Sequence, residues 1–140
     1  MNRRRHGRRG QALVEFSLAV IVFLVLVMGI VDFGRGIYVY NGVSQAAREV
    51  ARAASVHPGS PLGTSSAATT VTDTQKGLVP GLQDPVYTCL DATTLATKGT
   101  ACLPGDLVKV EVTAPFGLVT PLLGSLAPFQ MKGSSTVEIQ

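Results

Sequence analysis

The sequence is poor in the residues that most often bind metal ions. Its 140 residues include only two cysteines and two histidines. The cysteines and His57 do not have the spacing of zinc ligands, and His6 is separated from them by a long apolar run. The sequence therefore predicts no metal site, and no motif in it predicts a cofactor.

The sequence also lacks the groups of residues on which enzyme sites depend. The stretch Gly34–Gly36 has two glycines of a phosphate-binding loop, but neither the third glycine nor a preceding strand. Ser55 and His57 have no acidic residue close by in sequence that would complete a catalytic triad. Carboxylates of the C-terminal part occur singly, at Asp84, Asp91, Asp106 and Glu111. We therefore expect no enzyme activity.

Positive charge is concentrated in the first ten residues, and the rest of the chain is slightly acidic. Five of the twelve basic residues lie there, so the other seven stand against nine acidic residues; the five are Arg3, Arg4, Arg5, Arg8 and Arg9. Arginine clusters bind nucleic-acid phosphates. This cluster directly precedes an apolar run, however, and the excess of positive charge on the cytoplasmic side of membranes explains it. We expect no nucleic-acid binding.

The apolar run from Ala12 to Val31 is long enough to cross a membrane. Fourteen of its twenty residues are Val, Ile, Leu or Phe. As a helix it would extend about 30 Å, the thickness of the hydrocarbon core of a bilayer. Insertion of these side chains is favourable by about 6 kcal/mol, against a cost of about 3 kcal/mol for one charged residue. The run therefore predicts a transmembrane helix although it contains Glu15.

The apolar run differs from the core of a removable signal peptide in two ways. It is longer than the 7–15 residues that are usual for such a core, and no small-x-small cleavage site follows it. We expect the hydrophobic segment to remain in the mature protein.

The residues around the start of the run resemble a type IV prepilin. Prepilins are cut after a glycine that follows basic residues, and the fifth mature residue is a glutamate. Here Gly10 would be the last leader residue, Gln11 the first mature residue and Glu15 the fifth. Phe16 follows the glutamate, as in the Flp or Tad (tight adherence) branch. Many type IV pilins have an N-methylated Phe where this chain has Gln11.

The stretch after the apolar run resembles TadE-like proteins. Residues 31–55 read VDFGRGIYVYNGVSQAAREVARAAS, with an aspartate–glycine step, an Asn and an Ala-Ala-Arg-Glu-x-Ala-Arg block. The resemblance covers residues 8–55. It implies a minor pilin or pseudopilin of the Tad (Flp) type IV pilus system, processed by prepilin peptidase after Gly10. The alternative within this class is a principal filament subunit, although Flp-type major pilins are much shorter than this chain.

The resemblance also implies a location and partners. The chain would cross the bacterial cytoplasmic membrane once, with a cytoplasmic N-terminus and an exported C-terminal domain, and would enter a cell-surface pilus. Its partners would be other minor pilins, the Flp-type major pilin, the prepilin peptidase, the inner-membrane pilus assembly platform and the lipid bilayer. The alternative is an unprocessed single-pass anchor that displays a small extracytoplasmic binding domain.

Glu15 and Phe16 are the predicted assembly residues. Cleavage would create an amine at Gln11, one helical turn from the Glu15 carboxylate, and staggered subunits could pair amine with acid inside an apolar bundle. In the alternative interpretation, Glu15 extends to the cytoplasmic interface of the membrane and has no such partner.

Beyond the membrane segment the sequence predicts a stalk helix. Phe33, Ile37, Tyr40, Val43, Ala47, Val50 and Ala54 recur at helical spacing. A thin, alanine-rich face suits close packing against copies, relatives or a sheet, and its residues are Ala46, Ala47, Val50, Ala51 and Ala54. We expect a bend or fraying at Gly34–Gly36. The helix should end before the prolines that follow His57.

The remaining residues predict a small α+β domain whose antiparallel sheet packs on the stalk helix, as in type IV pilins. The division is a leader at 1–10, a transmembrane and stalk helix at 11–56, and an exported domain at 57–140. One short helix is expected within Val71–Leu82 and a crossing loop or helical turn at Phe116–Leu126. Strands are expected at Val86–Leu90, Leu107–Thr113 and Phe129–Ile139, the last with an interruption at Gly133.

The two cysteines, Cys89 and Cys102, both lie in this predicted exported domain. Disulfides persist outside the cytoplasm, and a bond between them would stabilise the domain by about 3 kcal/mol. We expect the disulfide, with free thiols as the alternative.

Overall fold

The computed structural model describes residues 5–57, 61–99, 102–120 and 129–140. Within these residues the chain forms two helices, α1 (Arg5–Val56) and α2 (Ser66–Leu78). The strands are β1 (Val86–Leu90), β2 (Thr97–Gly99), β3 (Leu107–Phe116) and β4 (Phe129–Glu138). They form an antiparallel sheet in the order β2-β1-β3-β4. The predicted α+β class, with a long apolar N-terminal helix and a small antiparallel sheet, is confirmed.

The chain divides into two compact units at the middle of α1. The first unit contains the helix up to Arg35 and the segment that begins at Leu118. The second unit contains Gly36–Gly117 and β4. The division predicted at residue 56 follows the end of the helix, whereas the compact units follow the contacts that the helix makes.

Helix α1 ends where the sequence predicts but is not frayed at its glycines. Its last residue is Val56, and the His57 amide donates to the Ala53 carbonyl at 3.0 Å. The prediction of fraying at Gly34–Gly36 is wrong, because the helix continues through these residues without a break. Each glycine costs only about 1 kcal/mol in a helix, and helical turns on both sides propagate the structure through it.

Helix α2 begins earlier than predicted, at Ser66 rather than within Val71–Leu82. The side chain of Ser65 caps it by accepting a hydrogen bond from the Ala68 amide at 3.2 Å. The helix ends at Leu78, inside the predicted range and before Pro80.

The sheet confirms the predicted β1 and extends the predicted β3. β3 continues past Thr113 to Phe116, although Pro115 interrupts the expected pattern. β1 pairs with β3 only as far as Glu111, so Pro115 has a strand partner, Gln130 of β4, on one side only. Proline is tolerated at such an edge position because no ladder bond is lost there. The predicted crossing loop begins with Gly117, and its residues 121–126 lie outside the described residues.

The core of the second unit lies between α1 and the sheet. The fully buried helix residues Val43 and Val50 belong to two clusters that also contain Val108, Val110 and Val112 of β3. The predicted apolar face of the stalk helix is therefore buried from Val43 onwards. The prediction is wrong at Ile37 and Tyr40, which are exposed. The face of the helix that meets the sheet passes instead through Gly36 and Val39, and the exposure of Phe33 likewise departs from the prediction.

At Gly133, β4 lies close to the backbone of α1. The predicted interruption of the last strand is wrong, because Gly133 is buried and pairs with Val112 within a continuous β4. A Cβ at Gly133 would lie 2.7 Å from the Val43 carbonyl oxygen and 3.0 Å from the Ser44 nitrogen. Glycine therefore serves here to let a strand lie directly against the backbone of a helix.

The connection from β1 to β3 is fastened by the predicted disulfide between Cys89 and Cys102, whose Cα atoms are 5.5 Å apart. The sequence did not predict β2, which lies between the two cysteines. Its Lys98 ammonium contacts Asp91 at 3.0 Å and Asp106 at 2.7 Å.

Within the described residues, no group of three or more His, Cys, Asp or Glu side chains is arranged to hold a metal ion.

Candidate functional site

The predicted processing and assembly residues lie on the N-terminal half of α1. Gly10, Gln11, Glu15 and Phe16 are all helical and all exposed. Gln11 and Glu15 are four residues apart, so they lie on one face of the helix, separated by about 6 Å along its axis. The structure thus places Gln11 and Glu15 about one helical turn apart.

The apolar side chains of this half are largely exposed. Phe16 is 69% exposed and Ile30 is 72% exposed, and none of the most apolar window of the helix is buried. Exposed apolar surface is unfavourable in water by about 25 cal/mol per Å². By length and composition this one helix could cross a membrane. An apolar surrounding for these exposed side chains is not supplied by the part of the chain that the structure describes.

Glu15 is the single acidic residue within that uncovered surface. Among the described residues, it makes no ion pair and accepts no side-chain hydrogen bond. Ionised carboxylates in an apolar surrounding need a partner. The described residues supply no such partner for Glu15.

Gly10 stands in open space. A Cβ added there would meet no atom within 4 Å. A larger side chain at Gly10 would therefore leave the helix undisturbed, and Gly34 offers the same open surroundings further along α1.

The alanine-rich face of α1 belongs to the core of the second unit. Its predicted packing residues, Ala46, Ala47, Val50, Ala51 and Ala54, are all 0% exposed. The sheet covers this face with residues such as Val108 and Val112. Of the partners that the sequence left open for this face, which were copies, relatives or a sheet, the chain's own sheet is the one that packs there.

The structure reveals one site residue whose role sequence reasoning missed, Asp32. Its carboxylate is only 5% exposed and accepts hydrogen bonds from the Val119 amide at 3.0 and 3.1 Å. It also accepts from the Thr120 amide at 2.9 Å and from the Thr120 hydroxyl at 2.6 Å. Arg35 lies 3.4 Å away on the next turn. No local pattern signals this contact, since the donors follow Asp32 by 87 and 88 residues.

The Asp32 contacts allow a charged group to be buried at the end of the apolar run. A carboxylate that receives several hydrogen bonds loses much of the penalty of leaving water. Asp32 thereby fixes the start of the segment after β3 to α1, within the first unit.

A second polar cluster stabilises the sheet edge. Lys98 donates a hydrogen bond to Asp106, and this contact is the main reason why the pKa of Asp106 is lowered. The hydrogen bond from the Leu103 amide lowers it further. The hydrogen bond to Asp106 is also the main reason why the pKa of Lys98 is raised, and the hydrogen bond to Asp91 adds to this effect. Asp91 accepts from the Thr94 amide at 2.9 Å, which together with Lys98 lowers the pKa of Asp91. These contacts tie β2 to the residue that follows β1 and to the residue that precedes β3.

Comparison with known proteins gives one match. The family model described as TadE-like protein matches residues 10–52, which is less than half of the chain. No curated protein and no solved structure matches. The matched segment begins at Gly10 and contains Glu15 and Asp32, whereas α2 and the sheet lie outside it. Over residues 10–52, the predicted resemblance of this chain to TadE-like proteins is confirmed.

Proposed function

We propose that this chain is a minor pilin or pseudopilin of a Tad-type adhesive type IV pilus. Residues 12–31 hold it in the bacterial cytoplasmic membrane, with residues 1–10 in the cytoplasm and the domain from residue 57 exported. One observation carries the proposal: the TadE-like segment folds as a helix whose uncovered apolar half contains a single acid. This is the arrangement expected of a segment that passes from a bilayer into a bundle of helices.

Assembly would depend on cleavage between Gly10 and Gln11 by a prepilin peptidase. The reaction frees an amine one helical turn before Glu15. In a staggered bundle, the amine of one subunit would meet the carboxylate of its neighbour. Removing one partner of a buried ion pair costs about 3–5 kcal/mol, because the other charge is left uncompensated. Such a contact would favour one stagger of subunits over others.

The proposed partners are other minor pilins, the Flp-type major pilin and the membrane-embedded assembly platform. They would contact the uncovered half of α1, since the alanine-rich face is occupied by the sheet. The role is structural, and the proposal includes no catalytic step.

The first test is the intact mass and N-terminal sequence of the protein isolated from membranes that contain its own peptidase. The proposal expects a chain that starts at Gln11. A chain that still starts at Met1 would refute prepilin-type processing and favour the unprocessed anchor. A start beyond residue 31 would show that the apolar run is a removed signal. The variant Gly10→Val should block cleavage, whereas the matched control Gly34→Val, also in open space, should not.

The second test addresses Glu15 directly. Glu15→Gln keeps the size of the side chain but removes its charge, and it should reduce the amount of this protein in sheared pilus fractions. Glu49→Gln is the matched control, because Glu49 is an exposed acid on the same helix. Equal recovery of both variants in pili would refute the pairing role of Glu15. Normal cleavage of Glu15→Gln would show that any loss arises at assembly.

A further inference from the structure

The exposed side of α1 changes its chemistry abruptly within the second unit. Ile37, Tyr38 and Tyr40 are exposed by 46%, 64% and 54%. The exposed residues that follow them on the helix are polar or charged up to Arg52, and they are Asn41, Gln45, Arg48, Glu49 and Arg52. The step from large apolar and aromatic side chains to charged ones falls between Tyr40 and Asn41.

The sheet places another exposed aromatic residue at the same end of this unit. A Cβ at Gly36 would lie 3.6 Å from the Phe116 ring, so the end of β3 lies beside the first turn of the helix in this unit. Phe116 pairs with Phe129, the first residue of β4, and Phe129 is 51% exposed. We call Ile37, Tyr38, Tyr40 and Phe129 the aromatic end.

The opposite end of the unit provides a natural comparison. β3 starts there with Leu107, which pairs with Glu138, and its ten residues extend about 30 Å from that point to Phe116. Leu103 lies next to this far end, because the neighbouring Gly105 amide donates to the Ile139 carbonyl. Leu103 is 67% exposed, so a probe placed there would report on a surface far from the aromatic end.

The position of the aromatic end along the helix matches the interfacial layer of a bilayer. Tyr38 follows Val31, the end of the apolar run, by seven residues, or about 10 Å of helix. Helical side chains point back toward the N-terminus, so the Tyr38 ring lies about one turn nearer to the run. This places it about 5 Å beyond the hydrocarbon core, within a headgroup layer that is about 5–7 Å thick on each side.

We propose that the aromatic end is a membrane-contact surface that lies in the headgroup layer of a phospholipid bilayer. Tyrosine suits this layer because its ring is apolar and its hydroxyl remains hydrated. Phe129 adds apolar area from the sheet, so the contact involves the domain as well as the helix. The inference rests on the membrane anchoring in the proposed function, but not on cleavage or pilus assembly. A second copy of the chain is the competing occupant.

Tryptophan scanning tests this contact, since the chain contains no tryptophan. The full chain is reconstituted at high dilution in phosphatidylcholine vesicles whose acyl chains carry bromine atoms at shallow or deep positions. Single variants Tyr38→Trp and Phe129→Trp report on the aromatic end. Phe23→Trp reports on the middle of the apolar run, and Leu103→Trp on the far end of the domain.

The expected result has three parts. Phe23→Trp is quenched most by deep bromines, Tyr38→Trp and Phe129→Trp are quenched most by shallow bromines, and Leu103→Trp is not quenched. If Phe23→Trp is quenched but Tyr38→Trp and Phe129→Trp emit as water-exposed tryptophans, the membrane contact is refuted. The transmembrane anchor is not affected by that result. If the emission of Tyr38→Trp and Phe129→Trp is blue-shifted but not quenched, a second copy covers the aromatic end. That result also refutes the membrane contact. No quenching of Phe23→Trp would overturn both the contact and the anchor.

Discussion

Substituting Gly133 with alanine should destabilise the second unit through a clash that side-chain motion cannot relieve. The new Cβ would lie 2.7 Å from the Val43 carbonyl oxygen and 2.9 Å from the Val43 carbonyl carbon. Both atoms belong to the backbone of α1 rather than to a flexible side chain. Either the helix or β4 must therefore move away, and the buried contacts around Val43 and Val112 loosen with it.

The size of the effect follows from two opposing contributions. Overpacking in a core costs about 1–3 kcal/mol. Alanine also reduces the freedom of the unfolded chain, which offsets about 0.4–1 kcal/mol. Because the clashing atoms belong to the backbone, we place the packing cost at the upper end of its range. We therefore expect the free energy of unfolding to fall by about 2 kcal/mol. That is a large part of the 5–15 kcal/mol by which domains are usually stable.

Urea unfolding of the full chain in detergent micelles, followed by pulse proteolysis, measures this loss. Gly77→Ala is the matched control, because Gly77 lies in α2 and a Cβ there meets no atom within 4 Å. It should stabilise the protein by up to about 1 kcal/mol through helix propensity. Gly133→Ala with stability equal to or above that of the original chain would refute the close approach of β4 to the helix backbone.

Three further predictions concern the polar and covalent contacts. Asp32→Asn removes one carboxylate oxygen that accepts from Thr120, so the Thr120 amide should exchange its hydrogen faster by mass spectrometry; unchanged exchange would contradict the contact. Replacing both cysteines with serine should lower the free energy of unfolding by about 3 kcal/mol, measured by urea unfolding under oxidising conditions, and an unchanged midpoint would count against a stabilising disulfide. The pKa of Asp106 is lowered in the fold by Lys98, so its stabilisation is complete above the ordinary carboxyl pKa of about 4 and is lost as the pH falls through the lower folded pKa. The melting temperature should therefore drop in acid in the original chain, and less so in Asp106→Asn; equal acid sensitivity of the two would refute this.

Features that depend on a few neighbouring residues could be predicted from the sequence. The alternation of Val108, Val110 and Val112 predicted a strand with one buried face, and all three are buried. Helix α1 ends at Val56, as predicted, because the prolines that follow His57 cannot continue a helix. Gly10, Gln11 and Glu15 could be selected because the leader pattern is short and contiguous. Their roles in cleavage and pairing stay predictions.

Features that depend on distant residues could not be predicted in this way. Gly133 was interpreted as a strand breaker, because only the position of Val43 shows that its missing side chain makes room for a helix. The role of Asp32 was not predicted, because its partner Thr120 lies 88 residues further along the chain. Strand β2 was missed because its three residues show no periodicity, and its position depends on ion pairs with Lys98.

The shortness of β2 has a consequence wherever many copies of the chain lie close together. An unpaired sheet edge is a template on which another chain can add a strand, and many copies in a small area would meet edge to edge. β2 covers part of β1 with only three residues, and the disulfide and Lys98 hold the connection around it in place. This edge thus offers too few free backbone groups to recruit a neighbour. Edge-to-edge pairing of crowded copies would therefore involve β4, the ten-residue strand at the other edge of the sheet, rather than β2.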